Sequence, residues 1–372
     1  MFNATRFALA RKRRGFTRKA LAQIIAVSEK SVAAYEKGVQ APDRQTLNRI
    51  AAALNFPAGF FSGDDIEELS PDSASFRALG KMTAKQRNMA LAVGNIALML
   101  NEWIEQRFDL PQPDLPDLGR EQECSGSGSE RSPEAAAEAL RYHWRMGELP
   151  VKNMIYLLES RGVRVFSLAI EAKEVDAFSL WQGGKPLVFL NTLKSAEHCR
   201  FDAAHELGHL VLHRHGEPQG QHIEREANAF ASAFLMPRRS ILAHAPKLPT
   251  LPHLIAHKSY WTVSVAALNY RLHALGLTTD WMYRTLCIQL SEAGYRSREP
   301  ESAPHEMSQV LAKVFSALRE DGLSKHDVAR ELQVDPAEIE QVTFGLMLSA
   351  VSSTQPLISL NRSKPVHLHV VK

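Results

Sequence analysis

The chain has 372 residues, of which 45% are hydrophobic and 23% are charged, and its formal net charge is +3. These values are typical of a globular protein with two or three domains. Its three cysteines form no Cys-x-x-Cys pair, which excludes a disulfide framework and a thiolate metal site and indicates a reducing compartment. The sequence shows neither a long uncharged apolar segment nor a signal-peptide pattern, so we expect a cytoplasmic protein without membrane contact.

Residues 1–62 are predicted to form a domain of five short helices. Thr17 and Ser28 precede the second and third helices as N-caps, and Gly38 ends the third. The second helix, the tight turn and the third helix have the outline of a helix-turn-helix. This segment holds eleven Lys and Arg residues against three acidic ones, so a polyanion is the expected partner.

The stretch FTRKALAQIIAVSEKSVAAYEKGVQAPDRQTLNRIAAAL resembles the Cro/lambda-repressor type of DNA-binding domain. The resemblance implies that the third helix enters the major groove of double-stranded DNA. The positions that match base or phosphate contacts of that family are Arg18, Glu29, Lys30, Ser31 and Lys37. The alternative is a small helical domain that docks a protein partner. A homodimer is expected for a regulator of this type, because its operators are palindromes.

Two connecting segments follow the first domain. Residues 63–110 begin acidic and then show a helical apolar pattern from Thr83 to Phe108, which we interpret as a spacer or dimerisation helix. Residues 111–133 are rich in proline, serine and glycine and are predicted to be a flexible linker.

Residues 134–296 are predicted to form an α+β domain. Two helices, ending at Trp144 and Arg161, precede three strands at 163–167, 177–181 and 186–191. Gly183 and Gly184 join the last two strands as a hairpin. We expect a small antiparallel three-stranded sheet. Its edge could pair with an extended substrate, or the strands could simply cover the following helix, and both can be true.

That helix contains the chemistry-bearing motif His-Glu-x-x-His. Residues four apart lie on one helix face, so the imidazoles of His205 and His209 can converge on one zinc ion. Glu206 is placed to act as a general base that takes a proton from the attacking water and passes it to a leaving amine. The alternative is an amphipathic helix without metal, but the surrounding residues are apolar, and unpaired charges there would be costly.

The third protein ligand has three candidate sources. His215 has the spacing of an elongated zinc motif, but that motif needs a glycine at position 212, where this sequence has leucine. His213 lies on the same helix, and three ligands on one straight helix would span more than ~10 Å of rise. A glutamate on the next helical stretch, residues 224–237, is favoured, and Glu224 in particular because Asn228 follows one turn later.

The stretches DAAHELGHLVLH and EREANAFASAFLMP resemble the ImmA/IrrE family of metallopeptidases, over about residues 140–275. The resemblance implies a zincin-like domain that cleaves repressor proteins. It also implies that His205, His209 and Glu224 are the ligands and Glu206 the catalytic base. The same motif contains Glu226, so a choice between the two glutamates remains open. Zinc is the expected metal, and manganese is possible at such a site.

A C-terminal helical region is predicted at 297–350, followed by a tail at 351–372. Ser324 and Asp335 are candidate N-caps of a second helix-turn-helix outline, whose charges are nearly balanced. The whole chain is therefore predicted to be mainly α with an α+β peptidase-like domain.

Two functions are consistent with this sequence. The first is a DNA-binding regulator that cleaves a partner repressor or its own linker at 111–133. The second is a regulator that uses the peptidase fold as a ligand or metal sensor without turnover. Four side chains are candidates for stabilising an oxyanion: Tyr142, Trp144, Tyr260 and His257.

Overall fold

The computed structural model describes residues 1–69, 75–76, 83–119, 132–169, 176–214 and 220–347. Within these ranges the chain is mainly helical and contains one four-stranded sheet. No helix in the described ranges is both long and apolar enough to cross a membrane. The predicted fold class, mainly α with an α+β domain, is confirmed.

Four α-helices and a short 3₁₀ helix form the N-terminal domain. They are α1 (Ala4–Arg13), α2 (Arg18–Ile24), α3 (Glu29–Glu36), α4 (Arg44–Leu54) and the 3₁₀ helix Ala58–Ser62. The hydroxyls of Thr17 and Ser28 accept hydrogen bonds from backbone N–H groups in the first turns of α2 and α3, as N-caps do. The core consists of fully buried apolar side chains: Phe7, Leu21, Val32, Ile50 and Phe61. The predicted five-helix domain is confirmed.

The sheet is mixed. Its strands are β1 (Ser75–Phe76), β2 (Arg164–Ser167), β3 (Ala177–Gln182) and β4 (Lys185–Leu190), in the order β1-β3-β4-β2. The predicted β3–β4 hairpin turns through two glycines with positive φ. However, β2 runs parallel to β4, so the prediction of an antiparallel three-stranded sheet is wrong in this respect. All four residues of β2 are buried, which is typical of a parallel strand covered on both faces.

The long helix α5 (Ala84–Glu105) covers one face of this sheet. A Cβ on Gly94 of this helix would lie 3.3 Å from Phe178 of β3 and 3.6 Å from Phe189 of β4, and 2.7 Å from Leu69. Nearly every residue from Ala90 to Ile104 is buried within the chain. The apolar pattern from which a dimer interface is predicted is thus satisfied inside one protomer, and α5 is a structural layer over the sheet. The homodimer stays a prediction.

The other face of the sheet packs on the helix that carries His-Glu-x-x-His. Ser179 and Trp181 of β3 lie two residues apart and therefore share one face of the strand. Both donate hydrogen bonds to residues of this helix, Glu206 and Leu210. The helices between the linker and the C-terminal region are α6 (Pro133–His143), α7 (Met154–Ser160), α8 (Ala196–Leu212), α9 (Gln221–Leu235), α10 (Arg238–His244), α11 (Leu251–Trp261), α12 (Val265–Ala274) and α13 (Asp280–Glu292).

Part of the predicted flexible linker is packed against the α+β domain. The backbone N–H of Leu118 donates to the carbonyl of Val211 near the end of α8, and the Leu118 side chain is buried. Upstream, the carboxylate of Asp114 pairs with Arg161 at 2.9 Å. Residues 111–119 therefore contact the α+β domain, at Arg161 and at the end of α8. Residues 120–131 lie outside the described ranges.

Three C-terminal helices, α14 (Gln309–Glu320), α15 (Lys325–Leu332) and α16 (Pro336–Thr343), complete the described chain. Ser324 and Asp335 are N-caps, as predicted. Yet α16, which would be the DNA-reading helix of a second helix-turn-helix, buries Glu338 and Ile339 inside the protein. Its role in this structure is intramolecular packing. The tail 351–372 lies outside the described residues.

Candidate metal centre

Helices α8 and α9 lie side by side and bring His205, His209 and Glu224 together. Their contact is close at Gly208, where a Cβ would lie 3.0 Å from the ring of Phe230 and 3.3 Å from the Cα of Ala227. A side chain at this position would push α9 away from α8. Because the two helices carry different donors, this glycine sets the separation between those donors.

We expect Gly208→Ala to weaken metal binding far more than it weakens the fold. Alanine is favoured over glycine in a helix by about 1 kcal/mol, which partly offsets an overpacking cost of about 1–3 kcal/mol. A shift of a few tenths of an ångström in α9 would use up most of the roughly 0.5 Å within which the groups of a binding site must be held, so the loss is expected to fall mainly on metal binding. Chemical denaturation and zinc titration on the same preparation check this difference. Unchanged zinc affinity would show that the α8–α9 separation does not control the site.

Three donor atoms converge between the two helices. The Nε2 atoms of His205 and His209 are 3.0 Å apart. The carboxylate of Glu224 lies 3.3 Å from the first nitrogen and 3.4 Å from the second. In a tetrahedral zinc site with bonds of roughly 2.0–2.1 Å, the donor atoms are separated by roughly 3.3 Å. The separations and the chemistry of these residues therefore fit a divalent cation.

The electrostatics of Glu224 are those of a carboxylate held in its charged form. Burial alone would raise the pKa of Glu224, but hydrogen bonds and charge interactions with His205 and His209 outweigh it and hold the pKa well below its usual range. Asn228, expected to orient this carboxylate, instead donates to the backbone carbonyl of Glu224 at 2.7 Å. The side chain supports the first turn of α9 and does not contact the carboxylate oxygens.

Glu206 is fully buried beside this group. Its Oε2 accepts a hydrogen bond of 2.6 Å from the hydroxyl of Ser179 on β3. The indole of Trp181, two residues along the same strand, donates to the carbonyl of Leu210, and the Arg214 guanidinium lies 3.7 Å from the centre of its ring system. Sequence reasoning missed Ser179 and Trp181. The only signal for them is strand alternation, which places both on the face toward α8.

The other ligand candidates are placed differently. Glu226 lies 2.9 Å from Nε2 of His213, whose Nδ1 lies 3.1 Å from Nδ1 of His209. Neither residue belongs to the converging group of donors among the described residues. Burial lowers the pKa of His213, an effect that its hydrogen bond with Glu226 partly offsets. His215 lies outside the described ranges.

The four oxyanion candidates make other contacts. Trp144 donates from its indole to the carbonyl of Asp114, and the Tyr142 side chain is largely exposed. Tyr260 stacks on His244, and a ring nitrogen of His257 lies 2.8 Å from the carbonyl of His253. Among the described residues none of these contacts is with a donor of the α8–α9 site, and an oxyanion role for any of the four stays a prediction.

The predicted DNA-contacting residues lie on and around α3. Glu29 and Lys30 are exposed at its start, and Lys37 is exposed at its end. Ser31 is partly buried, and its hydroxyl lies 2.8 Å from that of Ser28. Arg18 forms an ion pair with Glu36 of α3. All five positions are thus on one region of the domain, and their contacts with DNA stay a prediction.

Two segments of the chain match known protein families. Residues 158–273 match a peptidase family described as the IrrE N-terminal-like domain, and residues 8–61 match a helix-turn-helix family. No curated protein matches the chain significantly. The first match contains β2, β3, β4 and both helices of the candidate metal centre. The chain therefore carries an N-terminal helix-turn-helix domain and an IrrE-type peptidase domain.

Proposed function

We propose that this protein is a DNA-binding transcriptional regulator whose peptidase domain is a metal-dependent endopeptidase acting on a repressor-type protein, either a partner or another part of the same chain. The observation that carries the proposal is the convergence of His205, His209 and Glu224 beside the buried Glu206. A structural metal site needs no general base, whereas a hydrolytic one does.

The residues of the chain would share the catalytic work as follows. His205, His209 and Glu224 would hold Zn²⁺, or Mn²⁺ as an alternative, which would supply Lewis acidity toward the scissile carbonyl and lower the pKa of a water. Glu206 would accept a proton from this water as its oxygen bonds to the carbonyl carbon, and would pass the proton to the amine nitrogen as the C–N bond breaks. The Ser179 hydroxyl, bonded to Glu206 at 2.6 Å, fixes the orientation of the carboxylate during both transfers.

A polypeptide substrate would approach along β3, the strand that contacts α8. Extended peptides commonly bind by adding a strand to a sheet edge. The outer edge of β3 pairs here with two residues of the chain itself, with Ser75 opposite Ser179 and Phe76 opposite Phe178. A substrate strand at this edge would have to replace that pair. Cleavage in trans is thus expected to require displacement of residues 75–76.

The N-terminal domain is the part of the protein that would bind DNA at specific sequences. Among the described residues, five of its basic side chains form ion pairs with carboxylates of the chain: Arg11, Lys12, Arg13, Arg14 and Arg18. The lysines beside and on α3, namely Lys19, Lys30 and Lys37, remain exposed. A positive surface around an exposed helix is what phosphate contacts require. A homodimer is part of the proposal, because a palindromic operator would need two copies.

A second candidate function is favoured by the enclosure of the site. His205 and Glu206 are both 0% exposed, which suits a sensor that binds a metal or small ligand without turnover as well as it suits a covered peptidase. The two functions differ in whether the general base is needed. The substitution Glu206→Gln separates them because it keeps size and hydrogen bonding but removes proton transfer.

We expect Glu206→Gln to retain metal and DNA binding while losing peptidase activity by about 10²–10⁴-fold. Cells expressing either form would be compared by mass spectrometry of new protein N-termini, together with transcript levels of the regulated genes. Glu102→Gln makes the same chemical change on an exposed position of α5 and serves as the matched control. If new N-termini and regulation are the same in Glu206→Gln cells as in wild-type cells, the endopeptidase proposal is wrong and the sensor is favoured.

A further inference from the structure

Three side chains, His209, His213 and Glu226, contact one another in series, starting at the candidate metal centre. His213, at the C-terminal cap of α8, lies one helical turn beyond His209. The Nδ1 atoms of the two histidines are 3.1 Å apart, and Nε2 of His213 is 2.9 Å from Oε2 of Glu226 on α9. The sequence motif therefore contains two glutamates with separate contacts. Glu224 faces the donor group, and Glu226 faces His213.

We propose that His213 and Glu226 form a hydrogen-bonded relay that fixes His209 in the tautomer required for metal binding. The proposal rests on the metal centre proposed above. It assigns His213 and Glu226 as positioning residues, since neither of them belongs to the converging donors of the described structure.

The tautomer of His209 follows from the side of the ring that faces the site. Its Nε2 lies 3.0 Å from Nε2 of His205 and 3.4 Å from Glu224, so Nε2 is the nitrogen that would bind a cation through its lone pair. In a neutral imidazole one nitrogen carries the proton and the other accepts. The proton of His209 must therefore reside on Nδ1, and Nδ1 must donate to its neighbour, Nδ1 of His213.

The same reasoning continues to Glu226. Since Nδ1 of His213 accepts this hydrogen bond, the proton of His213 lies on Nε2 and is donated to Glu226. An ionised carboxylate only accepts hydrogen bonds, so it demands a proton at Nε2 of His213. For two neutral histidines, one arrangement satisfies all three residues, and it is the one that leaves Nε2 of His209 ready for metal.

The opposite tautomers would work against binding. A proton on Nδ1 of His213 would require Nδ1 of His209 to accept and would move the His209 proton to Nε2, in the centre of the donor group. Partners that orient a ligating histidine in this way typically contribute 10–100-fold to metal affinity. The relay is longer than a direct carboxylate–histidine pair because the carboxylate acts through a second imidazole.

The test is zinc affinity, measured by competition with a chromophoric chelator on the purified full-length chain. We expect His213→Leu and Glu226→Ala each to weaken zinc binding by about 10–100-fold. His213→Asn is expected to restore most of the affinity, because the amide oxygen occupies about the position of Nδ1 and accepts the same hydrogen bond. The double variant His213→Leu/Glu226→Ala should bind no more weakly than His213→Leu alone, because Glu226 acts through His213.

His222→Ala is the matched control. His222 also contacts Glu226, at 3.4 Å from the other carboxylate oxygen, but its side chain is 67% exposed and lies outside the relay. We expect its zinc affinity to equal that of the wild type, and thermal unfolding without metal checks that each variant is folded. If His213→Leu fails to fold, the comparison of His213→Asn with Glu226→Ala carries the test.

Three results would overturn the relay. Wild-type zinc affinity in both His213→Leu and Glu226→Ala would show that the relay has no function. Additive losses in the double variant would show that Glu226 acts by another route. A wild-type chain that binds no zinc at all would overturn the metal centre together with the relay, and this outcome is distinguishable because every variant would then behave alike.

Discussion

Glu224→Ala abolishes stoichiometric metal binding if the α8–α9 group is a metal centre. Structural zinc sites with four protein donors have apparent binding free energies of about 10–16 kcal/mol, or about 2.5–4 kcal/mol for each donor. Loss of one of three donors should therefore weaken binding by about a hundred-fold or more. We expect about one metal ion per chain in the wild type, and none retained by Glu224→Ala or His205→Ala after gel filtration.

Metal content by mass spectrometry on folded, freshly purified protein is the measurement. Glu226→Ala is the informative comparison, because the two glutamates share one helix and one motif. Since Glu226 contacts His213 at 2.9 Å and Glu224 contacts both motif histidines, Glu226→Ala should bind metal more weakly but still bind it. The reverse ranking, with metal lost in Glu226→Ala and kept in Glu224→Ala, would mean that Glu226 is the ligand.

The parts of the site that could be predicted from the sequence are those fixed by helix periodicity. His205 and His209 are four residues apart, which places both on one face of any helix. A glutamate ligand from α9 needs a second helix returning beside the first, and the structure brings the Glu224 carboxylate within 3.4 Å of both nitrogens. The choice of Glu224 rests on Asn228 and on the family resemblance, and Asn228 contacts the backbone carbonyl of Glu224. Strand alternation gives the face of Ser179 but not its contact with Glu206, and the His213–Glu226 contact depends on how α8 and α9 pack.

The fold shows the same division between local and long-range information. N-caps at Thr17 and Ser28 and the Gly183–Gly184 hairpin were predictable because each depends on a few neighbouring residues. The parallel pairing of β2 with β4 has no such signal. The apolar pattern of α5 predicts burial but not the surface that covers the helix. A helix that is apolar on nearly all sides is buried, and only the structure shows that residues of its own chain cover most of it.

The helix-turn-helix outline of the C-terminal region is consistent with either DNA binding or packing within the protein. The outline is real at the level of caps and turns, yet Glu338 on α16 is 2% exposed and receives ion pairs from Arg13 and Arg14, each at 2.7 Å. Asp335 also accepts a hydrogen bond from Asn55 at 3.1 Å. The helix in the DNA-reading position therefore docks the N-terminal domain onto the rest of the chain.

Glu338→Ala is expected to detach the N-terminal domain from the remainder of the protein without unfolding it. Arg13 is 7% exposed, so removal of Glu338 leaves a buried guanidinium without its counter-charge. Breaking a buried ion pair by removing one partner typically costs about 3–5 kcal/mol. The N-terminal domain keeps its own core around Phe7 and Phe61, so the loss falls on the contact between the domains.

Calorimetry and limited proteolysis together test this expectation. We expect thermal unfolding to separate into two transitions in Glu338→Ala, and cleavage between residues 62 and 83 to become faster. Glu340→Ala, an exposed glutamate two residues along the same helix, is the matched control and should behave as the wild type. A single unshifted transition in Glu338→Ala would mean that the Arg13 and Arg14 pairs do not hold the domains together. Two transitions would show that α16 holds the N-terminal domain in place. The same helix packs on α5 and donates from Gln341 to the carbonyl of Ala169 just beyond β2, so it joins that domain to the layers around the sheet.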